Sequence, residues 1–250
     1  MAIMTVAEYA QPFHAGRGRI AVLFLHGFNS SPHALREWAR LTADAGYRVS
    51  LPRLPGHGTT WRELAATRWR DWYDCAEREL LALAAETDQV FVAGHSMGGS
   101  LALRLAAHRR EAVAGLVLVN PGLLAYPLHR LAPLASLVIS RVPSRRHDIA
   151  EPGALRHGYD QTPLRAAVSL FEMFAEVRAS LDLVTCPTLV FKSVADHVIP
   201  GASADYLRSH LSSDDITVRE LARSYHVATL DYDRDQIFLE TLDFIAAHSR

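Results

Sequence analysis

Residues 89–101 read QVFVAGHSMGGSL, a short apolar run followed by a serine between glycines and then by residues typical of a helix. This is the order strand, tight turn, helix, with the pattern Gly-x-Ser-x-Gly at the turn. A sharp turn of this kind lifts the hydroxyl of Ser96 above the sheet, and Gly94 and Gly98 leave room for the chain to bend. The stretch therefore predicts a nucleophilic serine at the carboxyl end of a strand.

Further short runs of branched and aliphatic residues recur along the chain, each followed by a turn signal and then by helical spacing. Most are continuously apolar, which is typical of parallel strands covered on both faces. The pattern predicts an α/β fold with a mostly parallel central sheet flanked by helices. The predicted strands are residues 20–25, 47–51, 89–93, 115–119, 188–193 and 216–220.

Two helices are clear from apolar residues spaced three and four apart. The first follows Thr67, a plausible N-cap, and the last follows Asp233, which with Gln236 resembles a capping box. The apolar face of the first helix consists of Trp69, Trp72, Ala76, Leu80 and Leu83, and that of the last of Phe238, Leu242 and Ile245.

Residues 121–187 form one connection of about 67 residues, far longer than a simple crossover needs. Its leucines are interrupted by Pro127, Pro133 and Pro143, so we expect short helices and not one long helix. We predict a small helical cap, inserted after the sixth strand of a single domain spanning residues 1–250. It should lie over the carboxyl edge of the sheet, where such folds bind ligands. Some of its apolar residues should simply hold it onto the body.

The composition is that of an ordinary globular enzyme, with 49% hydrophobic residues, 21% charged residues and a net charge of -1. This balance favours a small, uncharged partner over nucleic acid or an anionic membrane. Cys75 and Cys186 lie far apart, and no His, Asp or Glu cluster has metal spacing, so we expect no disulfide, metal or cofactor. No early apolar run is long enough to span a bilayer, and we expect a cytoplasmic protein.

A serine hydroxyl needs a base to take its proton and an acid to orient that base. Asp196 follows the strand predicted at residues 188–193, and His226 follows the strand predicted at residues 216–220. Both therefore belong to loops at carboxyl ends of strands. The chain order serine, aspartate, histidine is the one expected for this kind of fold.

Other candidates for the base and the acid are less well placed. His95 adjoins the nucleophile in the tight turn and is expected to pack or hydrogen-bond, and the loop of His197 must present its neighbouring aspartate. Asp231 and Asp233 sit where the final helix begins and are expected to serve the turn and the cap. Asn120 ends a strand, but an amide cannot stabilise an imidazolium by charge.

Acyl transfer also requires two donors aimed at the developing oxyanion. One is the backbone N–H of Met97, and the other is predicted to be that of Phe28, in the loop after residues 20–25. His26 and Gly27 should shape that loop. The side chains of Phe28 and Met97 are predicted to flank an apolar substrate pocket, and His57 is expected to form a loop hydrogen bond.

With these residues in place, the chain resembles the α/β-hydrolase superfamily and, within it, the small bacterial carboxylesterases and monoacylglycerol lipases. The resemblance implies the triad Ser96, Asp196 and His226, oxyanion donors at Phe28 and Met97, and a helical cap. The stretch ending in Thr-Leu-Asp is the one most specific to the subgroup. The matching stretches are HGF (26–28), LPGHG (54–58), GHSMGG (94–99), DHVIP (196–200) and SYHVATLD (224–231).

The predicted function is hydrolysis of esters with short to medium acyl chains, monoacylglycerols among them, through an acyl-enzyme. The same triad could serve a thioester, a lactone or a carbon–carbon bond, since fold does not fix function. A ligand-binding homologue without turnover and a cofactor-free peroxidase are further alternatives. An aspartate-dependent dehalogenase or epoxide hydrolase is disfavoured because the turn holds Ser96.

Overall fold

The structure, a computed structural model, describes residues 6–144, 148–155 and 157–249. Within these ranges the chain forms nine strands and eight α-helices. In chain order the strands are β1 (Phe13–Ala15), β2 (Ile20–Leu25), β3 (Arg48–Leu51), β4 (Gln89–His95), β5 (Gly115–Val119), β6 (Arg141–Pro143), β7 (Gln161–Pro163), β8 (Thr188–Ser193) and β9 (Ile216–Leu221). The helices are α1 (His33–Asp44), α2 (Trp61–Ala66), α3 (Trp69–Ala84), α4 (Met97–His108), α5 (Ala132–Ala135), α6 (Leu164–Arg178), α7 (Ala202–His210) and α8 (Arg234–His248).

Seven strands form the central sheet in the order β1-β3-β2-β4-β5-β8-β9. All neighbouring pairs are parallel except β1 with β3. All six strands predicted from apolar runs are present. No apolar run predicted β1, because this strand has only three residues at the edge of the sheet and no buried side chain.

Hydrophobic cores lie on both faces of this sheet, as its continuously apolar strands require. Along β2, Ala21 and Leu23 join a core with α3, α4 and α6, whereas Val22 and Phe24 pack on the other face with α1 and α8. The apolar face predicted for α3 is buried in the first of these cores. Both faces are therefore covered, and the carboxyl edge of the sheet is where loops can form a site.

The predicted helix caps need correction. Thr67 ends α2, and the N-cap of α3 is Arg68, whose N–H donates to Asp71. Asp233 does occupy the N-cap of α8, but its carboxylate accepts the N–H groups of Arg223 and Ser224 in the preceding loop. The predicted capping box is absent because that carboxylate already binds the loop.

The long connection lies between β5 and β8. Counted along the described residues, it follows the fifth strand and not the sixth. It contains α5, the small antiparallel pair β6 and β7, and the 15-residue helix α6. The expectation of short helices alone was therefore wrong: the interrupting prolines end at Pro163, and Leu164–Arg178 contains none. Across the described part of the chain, no helix has the length and apolarity needed to cross a membrane.

Candidate active site

The turn between β4 and α4 holds Ser96 in a strained conformation. Ser96 has φ 55° and ψ −116°, a backbone conformation that residues other than glycine rarely adopt. A Cβ on Gly94 would overlap the carbonyl of Gly98, and a Cβ on Gly98 would overlap the carbonyl of Leu25. The two glycines of the motif are therefore required by the close approach of backbone segments around the serine.

Ser96, His226 and Asp196 form one hydrogen-bonded chain. His226 Nε2 lies 3.0 Å from Ser96 Oγ, and His226 Nδ1 lies 2.7 Å from Asp196 Oδ2. An ionised carboxylate can only accept, so Nδ1 carries the proton in the neutral ring, and Nε2 is left to accept the serine proton. The histidine and aspartate side chains are each only 5% exposed, which keeps water from competing for these bonds.

The carboxylate of Asp196 is held in the ionised state. Burial would raise the pKa of Asp196, but the charge and hydrogen bond of His226, together with the backbone donors, lower it overall. Those donors are the N–H groups of Ile199 and Val198, each 2.8 Å from Oδ1. One oxygen is thus fixed by its own loop and the other faces the histidine.

His95 and Asn120 hold the backbone of His226 in place. His95 Nε2 and Asn120 Nδ2 each lie 2.9 Å from the carbonyl oxygen of His226. Asn120 also receives the N–H of Ser193 at 2.8 Å. His95 therefore packs and hydrogen-bonds as expected, and Asn120 holds the backbone of His226 and does not take the place of Asp196 beside its ring.

The insertion contributes the carboxylate of Asp148, which no motif in the sequence predicted. Asp148 Oδ2 accepts the N–H of His226 at 3.1 Å and that of His197 at 3.2 Å. Its Oδ1 lies 2.7 Å from His197 Nδ1. His197 is thus hydrogen-bonded to the insertion and not to Ser96, in line with the expectation that it is not the base. The basic run RRH at residues 145–147, which the sequence predicts to be a solvated surface of the insertion, lies outside the described residues.

Asp231 has a larger role than the turn residue that was expected. It is fully buried, and its carboxylate accepts four backbone N–H groups at 2.7–2.9 Å. Two of the donors, Ala150 and Glu151, belong to the insertion, and the other two, Tyr225 and Tyr232, flank the histidine loop. This carboxylate therefore joins the insertion to that loop.

The loop after β2 lies directly against the serine. A Cβ on Gly27 would come within 3.3 Å of Ser96 Cβ, so this glycine permits the close approach. His26 shapes the loop, because its Nδ1 donates to the carbonyl of Gly27 at 3.0 Å and its Nε2 accepts the N–H of Leu54 at 3.2 Å. Burial lowers the pKa of His26 well below its usual value, consistent with a neutral ring.

The two N–H groups predicted to hold the oxyanion belong to Phe28, which follows Gly27, and to Met97, which follows Ser96. Among the hydrogen bonds of the described residues, neither group donates to a protein acceptor. Asn29, which follows Phe28, has φ 55°. The insertion holds its side chain: Oδ1 accepts the N–H of Tyr159 at 3.0 Å, and Nδ2 donates to Ser144 Oγ at 2.7 Å. No local sequence signal indicated these contacts, because the partners are more than a hundred residues apart.

A cavity of about 320 Å³ opens above the serine and histidine. Its wall is mainly apolar, comes largely from the insertion and includes no charged side chain among the described residues. Phe28 lines it, as predicted. Met97 does not: its side chain is fully buried in the core on the side of α3 and α4, so the prediction that this side chain flanks the pocket was wrong.

A second cavity, of about 580 Å³, adjoins the first. The two share Leu124, Ala125, His129, Phe171 and Phe174. The rings of His129 and Phe171 are stacked at 4.6 Å and form part of this shared wall. The shape of the first cavity, called the inner cavity below, therefore depends on a pair of aromatic side chains from the insertion.

The strand order, the strained serine turn and the buried hydrogen-bonded chain define an α/β-hydrolase with a serine-centred site. The family model described as serine aminopeptidase, S33 (Hydrolase_4), matches residues 16–233. The chain belongs to this family of α/β-hydrolases, and it is an enzyme of the serine esterase and lipase class.

Several relatives match over nearly their full length. The thermostable monoacylglycerol lipase of Bacillus sp. (strain H-257) is 37% identical over 98% of this chain and 97% of its own. The carboxylesterase of Bacillus subtilis (strain 168) is 26% identical over 94% and 96%. A structure from work on the metagenome-derived lipolytic enzymes LipS and LipT is 34% identical, covers 98% of this chain and 100% of its own, and has a TM-score of 0.95.

Proposed function

We propose that this chain hydrolyses carboxylic esters through an acyl-enzyme, with Ser96 as nucleophile, His226 as general base and acid, and Asp196 as the orienting carboxylate. The observation that carries the proposal is the continuous chain from Ser96 Oγ through the imidazole to Asp196, at 3.0 Å and 2.7 Å. His226 takes the serine proton during attack and returns it to the leaving alcohol. It then activates water, which releases the acid.

The oxyanion of the tetrahedral intermediate is assigned to the backbone N–H groups of Phe28 and Met97. Two features support this assignment: Met97 begins α4 directly after the nucleophile, and Gly27 brings the neighbouring loop against Ser96. Donors that are fixed before the reaction stabilise developing charge without reorganising, and losing one such donor costs about 10²–10³-fold in kcat in other hydrolases.

The substrate class follows from the inner cavity. Its apolar wall and its lack of described charged residues favour an uncharged acyl group, and its volume of about 320 Å³ favours short to medium chains. Monoacylglycerols are candidates because a relative 37% identical is named a monoacylglycerol lipase. Aminopeptidase activity, which the family description names, requires recognition of a substrate ammonium group, and no described residue of the wall carries a carboxylate.

The decisive experiment is steady-state hydrolysis of p-nitrophenyl esters of graded chain length. Ser96→Ala should lower kcat by about 10⁶-fold or to the detection limit, as removal of a triad nucleophile does elsewhere. Ser209→Ala is the matched control, because it removes an exposed hydroxyl whose hydrogen bonds to described residues all lie within α7. Wild-type turnover that survives in Ser96→Ala would disprove the assignment. Absence of any wild-type ester turnover would favour the thioester, lactone or ligand-binding alternatives.

The acyl-chain preference can be tested at the wall between the two cavities. Phe171→Ala removes a ring shared by both, and His129 loses its stacking partner. We expect the optimum to move to longer acyl chains, with little change in kcat for the shortest esters. Leu183→Ala, on a half-exposed side chain outside both cavities, is the control. An unchanged optimum would show that the shared wall does not limit the chain.

We further infer a single domain with the insertion as part of it, working in the cytoplasm. Ester binding would need both parts, since the cavity is lined by the loops of the sheet and by the insertion together. The cytoplasmic assignment is supported by two free thiols, Cys75 and Cys186. Burial raises the pKa of Cys186 to about 11, which keeps this thiol protonated and unreactive.

A further inference from the structure

Asp148 is the residue of the insertion that bonds to both loops of the proposed triad. On one side it accepts the N–H of His226, and on the other it binds the N–H and the ring of His197, the residue after Asp196. Its own carbonyl oxygen also accepts the N–H of Val227 at 3.1 Å. Its side chain is only 15% exposed, so water competes weakly for these bonds.

These contacts complete the fixation of the histidine backbone. The body of the protein supplies donors to the carbonyl of His226, through His95 and Asn120. The N–H of the same residue goes to Asp148 of the insertion. The peptide groups on both sides of the His226 side chain are therefore fixed, one by the body and one by the insertion.

The distance between the His226 loop and the Asp196 loop matters because the 2.7 Å hydrogen bond from His226 Nδ1 to Asp196 Oδ2 joins them. A single oxygen, Asp148 Oδ2, accepts an N–H from each loop, at 3.1 Å and 3.2 Å. A shared acceptor limits how far its two donors can move apart while both hydrogen bonds are kept. Displacement of a catalytic group by about 1 Å can cost about 10²-fold in rate.

We propose that Asp148 is a positioning residue for acyl transfer: it fixes the His226 loop against the Asp196 loop and makes the insertion part of the catalytic framework. This inference rests on the proposed function. Asp148 does not contact the substrate cavity, so its loss should act on kcat and leave substrate binding intact.

The kinetic test compares three substitutions with the wild type on one p-nitrophenyl ester. Asp148→Ala should lower kcat about 10- to 100-fold with KM little changed. Asp148→Asn keeps an oxygen that can accept both N–H groups, and it should recover most of the activity. Asp148→Glu keeps the charge but adds a methylene, so it should remain impaired; it also provides a second test if the alanine variant does not fold.

The matched control is Glu151→Gln. Glu151 lies in the same segment and pairs with Arg234 of α8, and its backbone bond to Asp231 survives the substitution. This control should lose some stability and retain the wild-type kcat. Equal kcat in Asp148→Ala and the wild type, or equal losses in Asp148→Ala and Glu151→Gln, would overturn the proposal.

A second readout does not depend on ester turnover. The Nδ1 proton of His226, bonded to Asp196, should give a far-downfield proton NMR signal whose exchange with water reports the loop separation. Exchange should be faster in Asp148→Ala and near wild type in Asp148→Asn and Glu151→Gln. If the wild type hydrolyses no ester, the proposed function fails, and this measurement still decides the role of Asp148. Unchanged exchange in Asp148→Ala would refute that role.

Discussion

The two parts of the insertion are attached to the protein in different ways. The leading segment, residues 127–139, exposes Leu134, Leu137 and Val138, which are 70–85% accessible to solvent. The trailing segment, residues 141–163, is bound to the body through Asn29, Asp148 and Asp231. Both segments belong to the same proline-interrupted stretch. The two segments therefore share an apolar, proline-interrupted composition but differ in their attachment, because the trailing segment makes polar contacts with residues far away in the sequence.

The largest effect is expected at Asp231, the main attachment of the trailing segment. Asp231→Ala leaves four backbone N–H groups without their buried acceptor, which should lower the free energy of unfolding by about 3–5 kcal/mol. Urea denaturation measures this loss, and limited proteolysis should show new cleavage in the trailing segment. Asp231→Asn keeps one acceptor oxygen, so its free energy of unfolding should lie between those of the wild type and Asp231→Ala. A loss below about 1 kcal/mol would mean that water replaces the carboxylate.

An intermediate effect on stability is expected at low pH, from the loop around His57 that binds the trailing segment. Tyr159 donates its hydroxyl to Gly56 at 2.8 Å, next to the fully buried His57. Burial lowers the pKa of His57 to about 4. The unfolded chain therefore takes up this proton first, and stability present above pH 6.5 should decline by up to about 3 kcal/mol as the pH falls toward 4.

His57→Gln, which cannot be protonated, tests this pH dependence. Its free energy of unfolding should fall less steeply than that of the wild type between pH 6.5 and 4, as measured by urea denaturation at several pH values. His26 remains in both proteins and contributes a decline of the same sign. Parallel curves would show that unfolding adds no proton at His57 in this range, and therefore that the folded protein does not lower the pKa of His57.

The smallest effect is expected in the leading segment. Replacing Leu134, Leu137 and Val138 together with serine removes side chains that are already in solvent, so the free energy of unfolding should change by no more than about 0.5 kcal/mol. Thermal unfolding at matched concentrations checks this. A destabilisation of several kcal/mol would place these side chains in a contact and would remove the distinction between the two segments.

The sequence predicted what depends on local pattern. Continuously apolar strands, the glycines around Ser96 and the order of Ser96, Asp196 and His226 are all legible in short stretches. Asp148, Asn29 and Tyr159 were missed because their roles arise from contacts between segments about 50 to 130 residues apart. Nothing in the residues around each of them marks it as different from a surface residue.

The errors have the same physical origin. The side-chain direction of Met97 depends on how the first turn of α4 packs against the core, which a motif does not specify. The carboxylate of Asp233 serves the loop before it and not the helix after it. The three-residue strand β1 is stabilised by pairing with β3, not by an apolar pattern of its own.

The contacts of Asp148 set a limit on how this enzyme can be remodelled. An insertion attached only through apolar packing could be exchanged as a unit between relatives. Here the exchange of residues 121–187 would also remove an acceptor of the N–H of His226. Libraries that aim at new substrates should therefore vary the leading segment and the cavity face of α6, and keep the trailing segment together with the loops it holds.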